Sequence, residues 1–427
     1  MRLSISFAAC LSVLVNASHS LSESVTDELD HLNTTDRYIV TLKPHADLSS
    51  HITFVQNFHN AFLLTRRQTP DWEGVTHQYR IESFQAYAAH LPTDVVEQLR
   101  VRSDVDHVEE DAIWTTGPVY DSTPALDSDT QAFVPMTKPI VQAKSGYGLG
   151  IISHAQISAL GYNQYLYDES AGENTYAYVV GTGININHAD FQGRATLGFN
   201  ALVPDSKHFT DEFGHGTIVA GLIGSERFGV AKKSHLIAVK VLNRTRGKLS
   251  QILDGYQWAV NDLRKRGRTK NGAINVSIYG APSKTFNKML NVASAKGVTT
   301  VTCAGDEGKE VAMSPGSADT AITVSATDDY RVKAKWANWG KEHVHLFAPG
   351  SRIMSTWIGS DKATAEKSGT SLAAGYVTGI VLYFKGLPGA TLDDAFATKK
   401  FLLKHALVDE ATLPNGKGLF AYNGSGK

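Results

Sequence analysis

From residue 147 to the C-terminus, continuous apolar runs alternate with amphipathic stretches. The apolar runs show little polar alternation, which is typical of strands buried on both faces of a sheet. Because stretches of helical period separate them, the pattern predicts an α/β fold, a parallel sheet with helices on both faces. The apolar runs are YAYVV (176–180), HLIAVKVL (235–242), AINVSIY (273–279), VTTVTCAG (298–305), AITVSA (321–326) and VHLFAPG (344–350), and the helical stretches include residues 250–267 and 287–297.

A smaller unit comes first. The sequence RYIVTLKP alternates like a strand from Arg37, and TDVVEQLRVRSDVDHVEED predicts an amphipathic helix followed by a second strand. We therefore predict a small α+β domain within residues 18–116. A stretch rich in Thr, Ser, Pro, Asp and Gly follows, and we interpret residues 117–145 as a linker that leads into the α/β domain at 146–427.

The N-terminus has the three parts of a secretory signal peptide. A basic Arg2 precedes a short apolar run, and Val15-Asn16-Ala17 forms a small-residue cleavage site, so residues 1–17 are predicted to be removed. A buried N-terminal helix is the alternative interpretation. The apolar run is too short to span a bilayer, and no later segment is long enough either. We expect a secreted, extracellular protein that does not enter a membrane.

Charge and cysteine content narrow the class of protein. Lys and Arg number 41 against 42 Asp and Glu, a net charge of -1, which gives no reason to expect nucleic acid or an anionic membrane as partner. Cys10 leaves with the signal peptide and Cys303 lies in an apolar run, so we predict no internal disulfide and a buried, unreactive thiol. We expect a monomer.

Glycosylation sequons suit a secreted glycoprotein. We predict modification at Asn33, Asn243 and Asn423. A fourth sequon begins at Asn275, which lies within a predicted core strand, and this asparagine is expected to remain unmodified.

Three short segments carry the candidate chemistry. They are VVGTGI (179–184), GHGTIVAG (214–221) and SGTSLAAGYVTG (368–379). Each is weak alone, because His-Gly-Thr can be a turn and Gly-Thr-Ser a helix start. In this order on an α/β chain they resemble the subtilase family, whose catalytic Asp, His and Ser follow one another along the chain. The sequence is similar to the proteinase K branch of that family and to secreted fungal alkaline proteases.

The resemblance covers nearly the whole chain. It implies a subtilisin-like peptidase domain preceded by an inhibitor-type propeptide, which assists folding and then blocks the cleft as an intramolecular inhibitor. It implies acyl transfer on a peptide or protein substrate, with Ser371 attacking a carbonyl while His215 accepts the hydroxyl proton and returns it to the leaving amine. No cofactor is implied. His345 stands where the branch has a calcium-ligating Asp, so we predict that no metal binds there.

The match breaks at two catalytic positions. Gly181 stands where the triad Asp is expected, and glycine can neither orient an imidazole nor stabilise an imidazolium. Asp306 stands where an Asn donates to the oxyanion, and an ionised carboxylate would repel that charge. Ile218 and the Gly375-Tyr376 pair also replace residues of the family pattern.

The size of the losses expected at these two positions predicts a degenerate catalytic site with weak or no activity. In subtilisin, loss of the triad Asp costs roughly 3 × 10⁴ in turnover, and loss of the oxyanion Asn costs about 10²–10³. A protonated Asp306 could donate a hydrogen bond instead, but only if its pKa is strongly shifted, because ordinary acid would also protonate His215. Asp211, Glu212 or Asp190 could replace the missing carboxylate beside the histidine.

The peptide cleft also departs from the family pattern. VSIYG (276–280) corresponds to a Ser-Leu-Gly-Gly strand, so Ser277, Tyr279 and Gly280 are candidate substrate-binding residues. Tyr279 replaces a glycine and is expected to narrow the specificity pocket. Arg246 and Lys248 make the opposite rim basic, which favours an acidic peptide.

Three interpretations stay open. The first is a secreted pseudoprotease of weak or no activity that keeps its propeptide attached. The second is an active serine endopeptidase using Ser371 and His215. The third is a peptide-binding or scaffold protein that keeps the cleft and does not cut.

Overall fold

The computed structural model describes residues 32–64, 72–117, 138–156, 161–204, 206, 209–311, 313–340 and 342–426. The predicted signal peptide at residues 1–17 lies outside these ranges. No helix in the described part of the chain is both long enough and apolar enough to cross a membrane.

The N-terminal unit is a four-stranded antiparallel sheet with two helices. The strands are β1 (Arg37–Leu42), β2 (Gly74–Ile81), β3 (Phe84–His90) and β4 (Val105–Glu110), in the order β2-β3-β1-β4, and the helices are α1 (Leu48–Leu64) and α2 (Thr93–Arg100). Alternate residues of β1, such as Val40 and Leu42, pack with Val55 and Leu99 of the two helices. The predicted α+β domain is confirmed, and α1, β2 and β3 add to the elements that the pattern predicted.

The larger unit is built on a nine-stranded, mostly parallel sheet, which confirms the predicted fold class. The described strands after β4 are β5 (Ile113–Thr115), β6 (Pro139–Ala143), β7 (Gln164–Asp168), β8 (Tyr176–Gly181), β9 (Ala195–Asn200), β10 (His235–Lys240), β11 (Arg246–Lys248), β12 (Gly272–Val276), β13 (Thr300–Cys303), β14 (Ile322–Thr327), β15 (Leu346–Pro349), β16 (Ile353–Thr356), β17 (Thr364–Lys367), β18 (Leu407–Leu413) and β19 (Gly416–Phe420). The strand order of the nine-stranded sheet is β18-β19-β15-β14-β13-β12-β8-β10-β9, and only the β18–β19 pair is antiparallel.

Helices cover both faces of this sheet. They are α3 (Tyr147–Ser153), α4 (His215–Gly224), α5 (Leu249–Lys265), α6 (Lys284–Ser294), α7 (Thr370–Lys385) and α8 (Ala395–His405). Helices α4 and α7 pack against each other on one face, and every residue of both is buried. Helices α5 and α6 lie on the other face, with amphipathic sequences that bury one side. Cys303 at the end of β13 is buried with a free thiol.

The N-terminal sheet packs on α5 and α6 and places two acidic residues at the helix starts. The Asp111 carboxylate accepts from the Ser250 backbone N–H (2.8 Å) and hydroxyl (2.6 Å) in the first turn of α5. Glu109 accepts from the Ser283 hydroxyl (2.6 Å) and from the Lys284 N–H (3.1 Å) at the start of α6. Negative charge is favourable there because the first helical N–H groups have no partner within the helix.

Part of the predicted linker is structured. Residues 139–143, assigned to the linker by their composition, form β6, which pairs antiparallel with β7. The strand is only five residues long, and alternate side chains are exposed. A short, half-exposed strand carries too few apolar positions for a periodicity argument to detect.

The acidic contacts at the helix starts give a stability prediction. We expect Asp111→Ala to lower the free energy of unfolding by about 1–3 kcal/mol, because it leaves the buried Ser250 donors unpaired. Urea unfolding of the full chain measures this change. The control is Asp106→Ala, which removes an exposed ion pair to Lys288 and should cost less than about 1 kcal/mol. Equal losses in the two variants would contradict the prediction.

Candidate functional site

Strand β8 ends beside the start of α4, and this junction positions His215. The Gly216 N–H donates to Thr182 Oγ1 (2.8 Å), which links the loop after β8 to the first turn of the helix. Gly214 precedes the histidine with a φ of 99°, and a Cβ there would lie 2.7 Å from the Trp357 ring. Only glycine combines this backbone conformation with such close packing. His215 therefore begins α4 with its side chain in the site.

Both oxygens of the Asp211 carboxylate accept hydrogen bonds from groups at or beside the start of α4. One oxygen accepts from the N–H groups of Phe213 (3.1 Å) and Gly214 (2.8 Å) and from the Thr182 hydroxyl (2.8 Å). The other accepts from the Thr217 N–H (2.8 Å) and hydroxyl (2.7 Å). This aspartate caps the helix and forms no hydrogen bond with His215.

The other two candidates for replacing the missing carboxylate are also engaged elsewhere. Asp190 receives both of its short contacts from Arg227 Nε, at 2.9 and 2.8 Å. Glu212 is largely exposed and lies 3.7 Å from Lys240 Nζ. The hypothesis that a nearby acid orients the His215 ring directly is wrong in this structure, because neither ring nitrogen has a hydrogen-bond partner among the described residues.

His215 is deeply buried, and within the described residues neither ring nitrogen has a hydrogen-bond partner. Burial lowers its pKa to about 4, and the nearby Asp211 charge opposes the shift without cancelling it. Space exists for a missing partner: a Cβ placed on Gly181 would meet no atom within 4 Å. The imidazole is therefore neutral at neutral pH, and no hydrogen bond from the residues described orients it.

Ser371 is the second residue of α7. Its hydroxyl lies 3.3 Å from the Ser277 carbonyl oxygen and 3.5 Å from that of Thr116, and it makes no hydrogen bond to His215. The Ser277 hydroxyl in turn donates to the Ser371 carbonyl (3.1 Å). A small pocket brings Ser371, His215 and Asp306 together with Thr116. The structure thus assembles the predicted nucleophile, base and oxyanion-position residue at one site.

Asp306 faces this cavity with one free carboxylate oxygen. Its Oδ1 accepts from the Thr370 N–H (2.9 Å), whereas the buried Oδ2 has no partner among the described residues. Burial raises the pKa of Asp306 to about 7, although the Thr370 hydrogen bond acts in the opposite direction. Because Oδ2 accepts no hydrogen bond, it is the oxygen suited to carry the proton of a neutral carboxyl group.

The C-terminal segment of the N-terminal unit, residues 113–117, is called the tail. It runs through the cleft as an extended peptide. Strand β5 pairs antiparallel with β11 on one side. On the other side Thr115 exchanges two backbone hydrogen bonds with Tyr279, at 3.1 and 3.0 Å, and the Thr116 N–H donates to the Thr245 carbonyl (3.2 Å). The tail then reaches the Ser371 hydroxyl. It occupies the cleft by strand addition on both sides.

Two family models match the two units of the chain. Residues 172–426 match the model of the subtilase family, and residues 37–117 match that of peptidase inhibitor I9. The chain belongs to the subtilase family. The inhibitor match coincides with the unit whose tail fills the cleft, so this subtilase carries its own intramolecular inhibitor domain.

Similar proteins cover nearly the same length. An alkaline proteinase of Hapsidospora chrysogena is 40% identical over 92% of both chains, and alkaline protease 1 of Aspergillus clavatus is 39% identical over 91% of both. A subtilisin-like serine protease of Penicillium rubens, Pen ch 18, is 34% identical over 97% of this chain and 85% of its own. The crystal structure of a cold-adapted subtilisin-like serine proteinase superposes with a TM-score of 0.60 and 28% identity, covering 66% of this chain and 99% of that one.

The predicted cleft residues of this subtilase lie around the tail. Tyr279 pairs with it through the backbone, and the Trp114 ring lies directly over Gly280. Arg246 and Lys248 pair with Thr115 and Ile113 through their backbones, while Arg246 itself is exposed. The tail sequence Ile-Trp-Thr-Thr-Gly is uncharged, so the basic rim holds this occupant by main-chain hydrogen bonds and not by charge.

Sequence reasoning missed the residues that the tail contributes. Trp114 is 1% exposed and packs its ring 5.5 Å from that of Phe286. Gly117, assigned to the linker, lies against Asp306 and Tyr279. The only signal in the sequence was the apolar Ile-Trp pair at the domain boundary, which composition alone does not place in a cleft.

The glycosylation sequons occupy different environments. Asn33 is exposed and Asn243 is half-buried, so modification of these two stays a prediction. Asn423 is 1% exposed, its side-chain amide donates to the Leu166 carbonyl (2.9 Å), and its carbonyl accepts from the Ser425 N–H. The prediction at Asn423 is wrong for this fold, because its amide nitrogen is buried and used. Asn275 is likewise buried and donates to Thr378.

The buried His215 predicts a pH-dependent stability. The unfolded chain takes up a proton near pH 6.5 but the folded chain only near pH 4, so acidification through this window destabilises the protein. His215→Gln lacks this proton. Relative to wild type, it should gain about 3 kcal/mol in free energy of unfolding between about pH 7.5 and 4.

Urea unfolding at both pH values measures this difference. Ser371→Ala, which keeps the histidine, should follow wild type at both. Parallel pH dependence of wild type and His215→Gln would show that the ring is accessible to protons in the folded state.

Proposed function

We propose that this subtilase is a secreted serine endopeptidase of low activity, in which Ser371 and His215 work without a triad aspartate. The observation that carries the proposal is the peptide in the cleft. An extended segment of the chain forms strand pairs on both sides and places its Thr116 carbonyl 3.5 Å from the Ser371 hydroxyl. A site that holds a peptide bond at the nucleophile in this way can act on peptides.

His215 is the proton acceptor for Ser371 in this proposal. With its pKa lowered to about 4, the imidazole is neutral over most of the pH scale and able to accept a proton. The same burial makes it a weak base and destabilises the imidazolium that forms when it takes the serine proton. Because Gly181 provides no carboxylate to offset this charge, slow turnover is expected.

Asp306 supplies the oxyanion donor when it is protonated. Its raised pKa keeps the carboxyl group neutral below about pH 7, and a neutral acid can donate a hydrogen bond where a carboxylate would repel. His215 is neutral above about pH 4. Both requirements are met together between these values, which removes the conflict expected from unshifted groups. The proposed enzyme therefore works in mild acid.

Secretion and latency belong to the same proposal. The signal-like residues 1–17 direct the chain out of the cell, and the I9-type unit keeps the cleft filled. Because the catalytic site is weak, the inhibitor unit stays attached at neutral pH. The secreted protein therefore remains a zymogen until the pH falls or another protease cleaves it.

The pH profile tests this mechanism. We expect the purified full chain to lose its N-terminal unit slowly between about pH 4 and 7, with the rate falling about tenfold per pH unit above 7 as Asp306 ionises. Asp306→Asn keeps a donor at every pH, so its rate should not fall above pH 7. Intact mass against time gives both rates.

Ser371→Ala is the control in this assay and should keep its full mass throughout. A wild-type rate of self-cleavage that rises through pH 7 would contradict the role of Asp306 as a protonated donor. The same fall in rate above pH 7 in Asp306→Asn would also contradict it.

Restoring the missing carboxylate is a second test. Gly181→Asp places a side chain in the open space beside α4, where it can orient His215 and stabilise its protonated form. We expect the rate of self-cleavage to rise about 10²-fold or more, since the corresponding loss in subtilisin is about 3 × 10⁴-fold. The matched control is Gly181→Asn, which has the same size without the charge and should give no comparable gain.

Equal rates for wild type, Gly181→Asn and Gly181→Asp would show that the missing aspartate does not limit this enzyme.

A peptide-binding protein without hydrolysis is the second candidate function. The unpartnered His215 nitrogens favour it, because no hydrogen bond within the described part of the chain holds the base toward Ser371. If wild type and Ser371→Ala both keep their full mass at about pH 5.5 while the Gly181→Asp variant is processed, the cleft is a binding site in the natural protein and the proposed activity is wrong.

A further inference from the structure

Gly117 fits its place beside the nucleophile because it has no side chain. A Cβ at this position would lie 2.9 Å from both Asp306 Oδ2 and Tyr279 Cε1, and closer still to Tyr279 Oη. Real Cβ atoms do not approach other heavy atoms this closely, so the tail or the tyrosine would have to move. The Gly117 φ of 76° is a second feature that favours glycine.

Tyr279 is held firmly in this position. Its side chain is 2% exposed, and its hydroxyl oxygen accepts from the Asp306 backbone N–H (3.2 Å). Its own backbone N–H and carbonyl both pair with Thr115 of the tail. A ring fixed at its hydroxyl end and at its backbone cannot swing aside to admit a larger residue.

The register of the tail is equally fixed. The fully buried Trp114 packs against Phe286 and lies over Gly280, where a Cβ would overlap the indole ring. This anchor and the Thr115–Tyr279 pair determine which residue reaches Asp306. A chain held at both points cannot slide to bring another residue into the position of Gly117.

We propose that Tyr279 makes this cleft selective for peptides that have glycine at the position of Gly117. This position lies two residues after Thr115, the backbone partner of Tyr279. The occupants it accepts are extended peptides with a large aromatic residue three positions before that glycine, as in Trp114-Thr115-Thr116-Gly117. As a statement about substrates it rests on the proposed peptidase function, but the selectivity is a property of binding. Tyr279 is a specificity-determining residue here and takes no part in proton transfer.

Amide hydrogen exchange in the full chain tests the proposal without any hydrolysis. All variants carry Ser371→Ala, so the tail stays covalently attached. Gly117→Ala should expel the tail from the cleft, and exchange at the Thr115 and Thr116 amides should become about tenfold faster or more. Adding Tyr279→Gly removes the nearer of the two obstacles, and exchange should return close to that of Tyr279→Gly alone.

The pair of variants separates the tyrosine from the backbone. The strain of an alanine at positive φ persists in the double variant, whereas the overlap with Tyr279 does not. If the double variant exchanges as fast as Gly117→Ala, then the backbone conformation or the contact with Asp306 requires glycine, and the role of Tyr279 is wrong. Unchanged exchange in Gly117→Ala would also overturn the proposal.

Tyr279→Phe covers the case in which Tyr279→Gly does not fold. Phenylalanine keeps the ring but removes the hydroxyl that lies nearest to the position of the added Cβ. Combined with Gly117→Ala it should slow exchange by about threefold or more relative to Gly117→Ala alone. No slowing would overturn the assignment to the tyrosine.

The result is independent of the proposed activity. A chain that never cleaves itself at any pH refutes the endopeptidase proposal, yet it can still show rescue by Tyr279→Gly. Conversely, an active enzyme without that rescue keeps its function and loses this account of its specificity.

Discussion

Exclusion of water from the cleft is the constraint on which the chemistry of this protein depends. The tail, Trp357 and the first turns of α4 and α7 enclose His215 and Asp306 so that both are nearly inaccessible to solvent. Burial penalises whichever form is charged, so the histidine is driven to lose its proton and the aspartate to keep one. The two shifts have one cause. They run in opposite directions only because one group is a base and the other an acid.

Because burial causes both shifts, the protonation states of His215 and Asp306 depend on whether a peptide occupies the cleft. Both pKa shifts belong to a structure with a peptide segment in place, and an empty cleft would readmit water to the cavity. Water would reduce both desolvation penalties and narrow the interval in which the base is neutral and the acid protonated. In the proposed mechanism the peptide in the cleft therefore produces both pKa shifts, and the inhibitor unit provides this environment while it fills the cleft.

The elements of this fold that bury both faces could be predicted from the sequence. Runs such as 298–305 and 321–326 are apolar throughout because they become β13 and β14 in the middle of the sheet. Strand β6 was missed because three of its five residues face solvent. The position of the tail was missed for a different reason. Its partners, Tyr279 and β11, lie more than a hundred residues away in sequence, and main-chain pairing leaves no mark on the side chains.

The site was predicted in its composition but not in its connections. Ser371, His215 and Asp306 do meet at one cavity, as the motif order indicates. The hypothesis that Asp211 assists His215 failed because a carboxylate near a helix start has competing donors. Five hydrogen bonds from the loop and from α4 use it completely. Competition of this kind depends on backbone N–H directions, which only the folded structure provides.

The departures from the subtilase pattern differ in their physical character. Gly181 leaves unfilled space, so the position has lost a side chain without any neighbour closing in. Asp306 and Tyr279 instead form one fitted surface: the Asp306 N–H donates to the tyrosine hydroxyl, and both side chains lie against Gly117. Close packing of this kind discriminates between occupants, because a single methyl group has no room. The aspartate side of the histidine is therefore incomplete, whereas the peptide-binding side is closely complementary to the segment it contains.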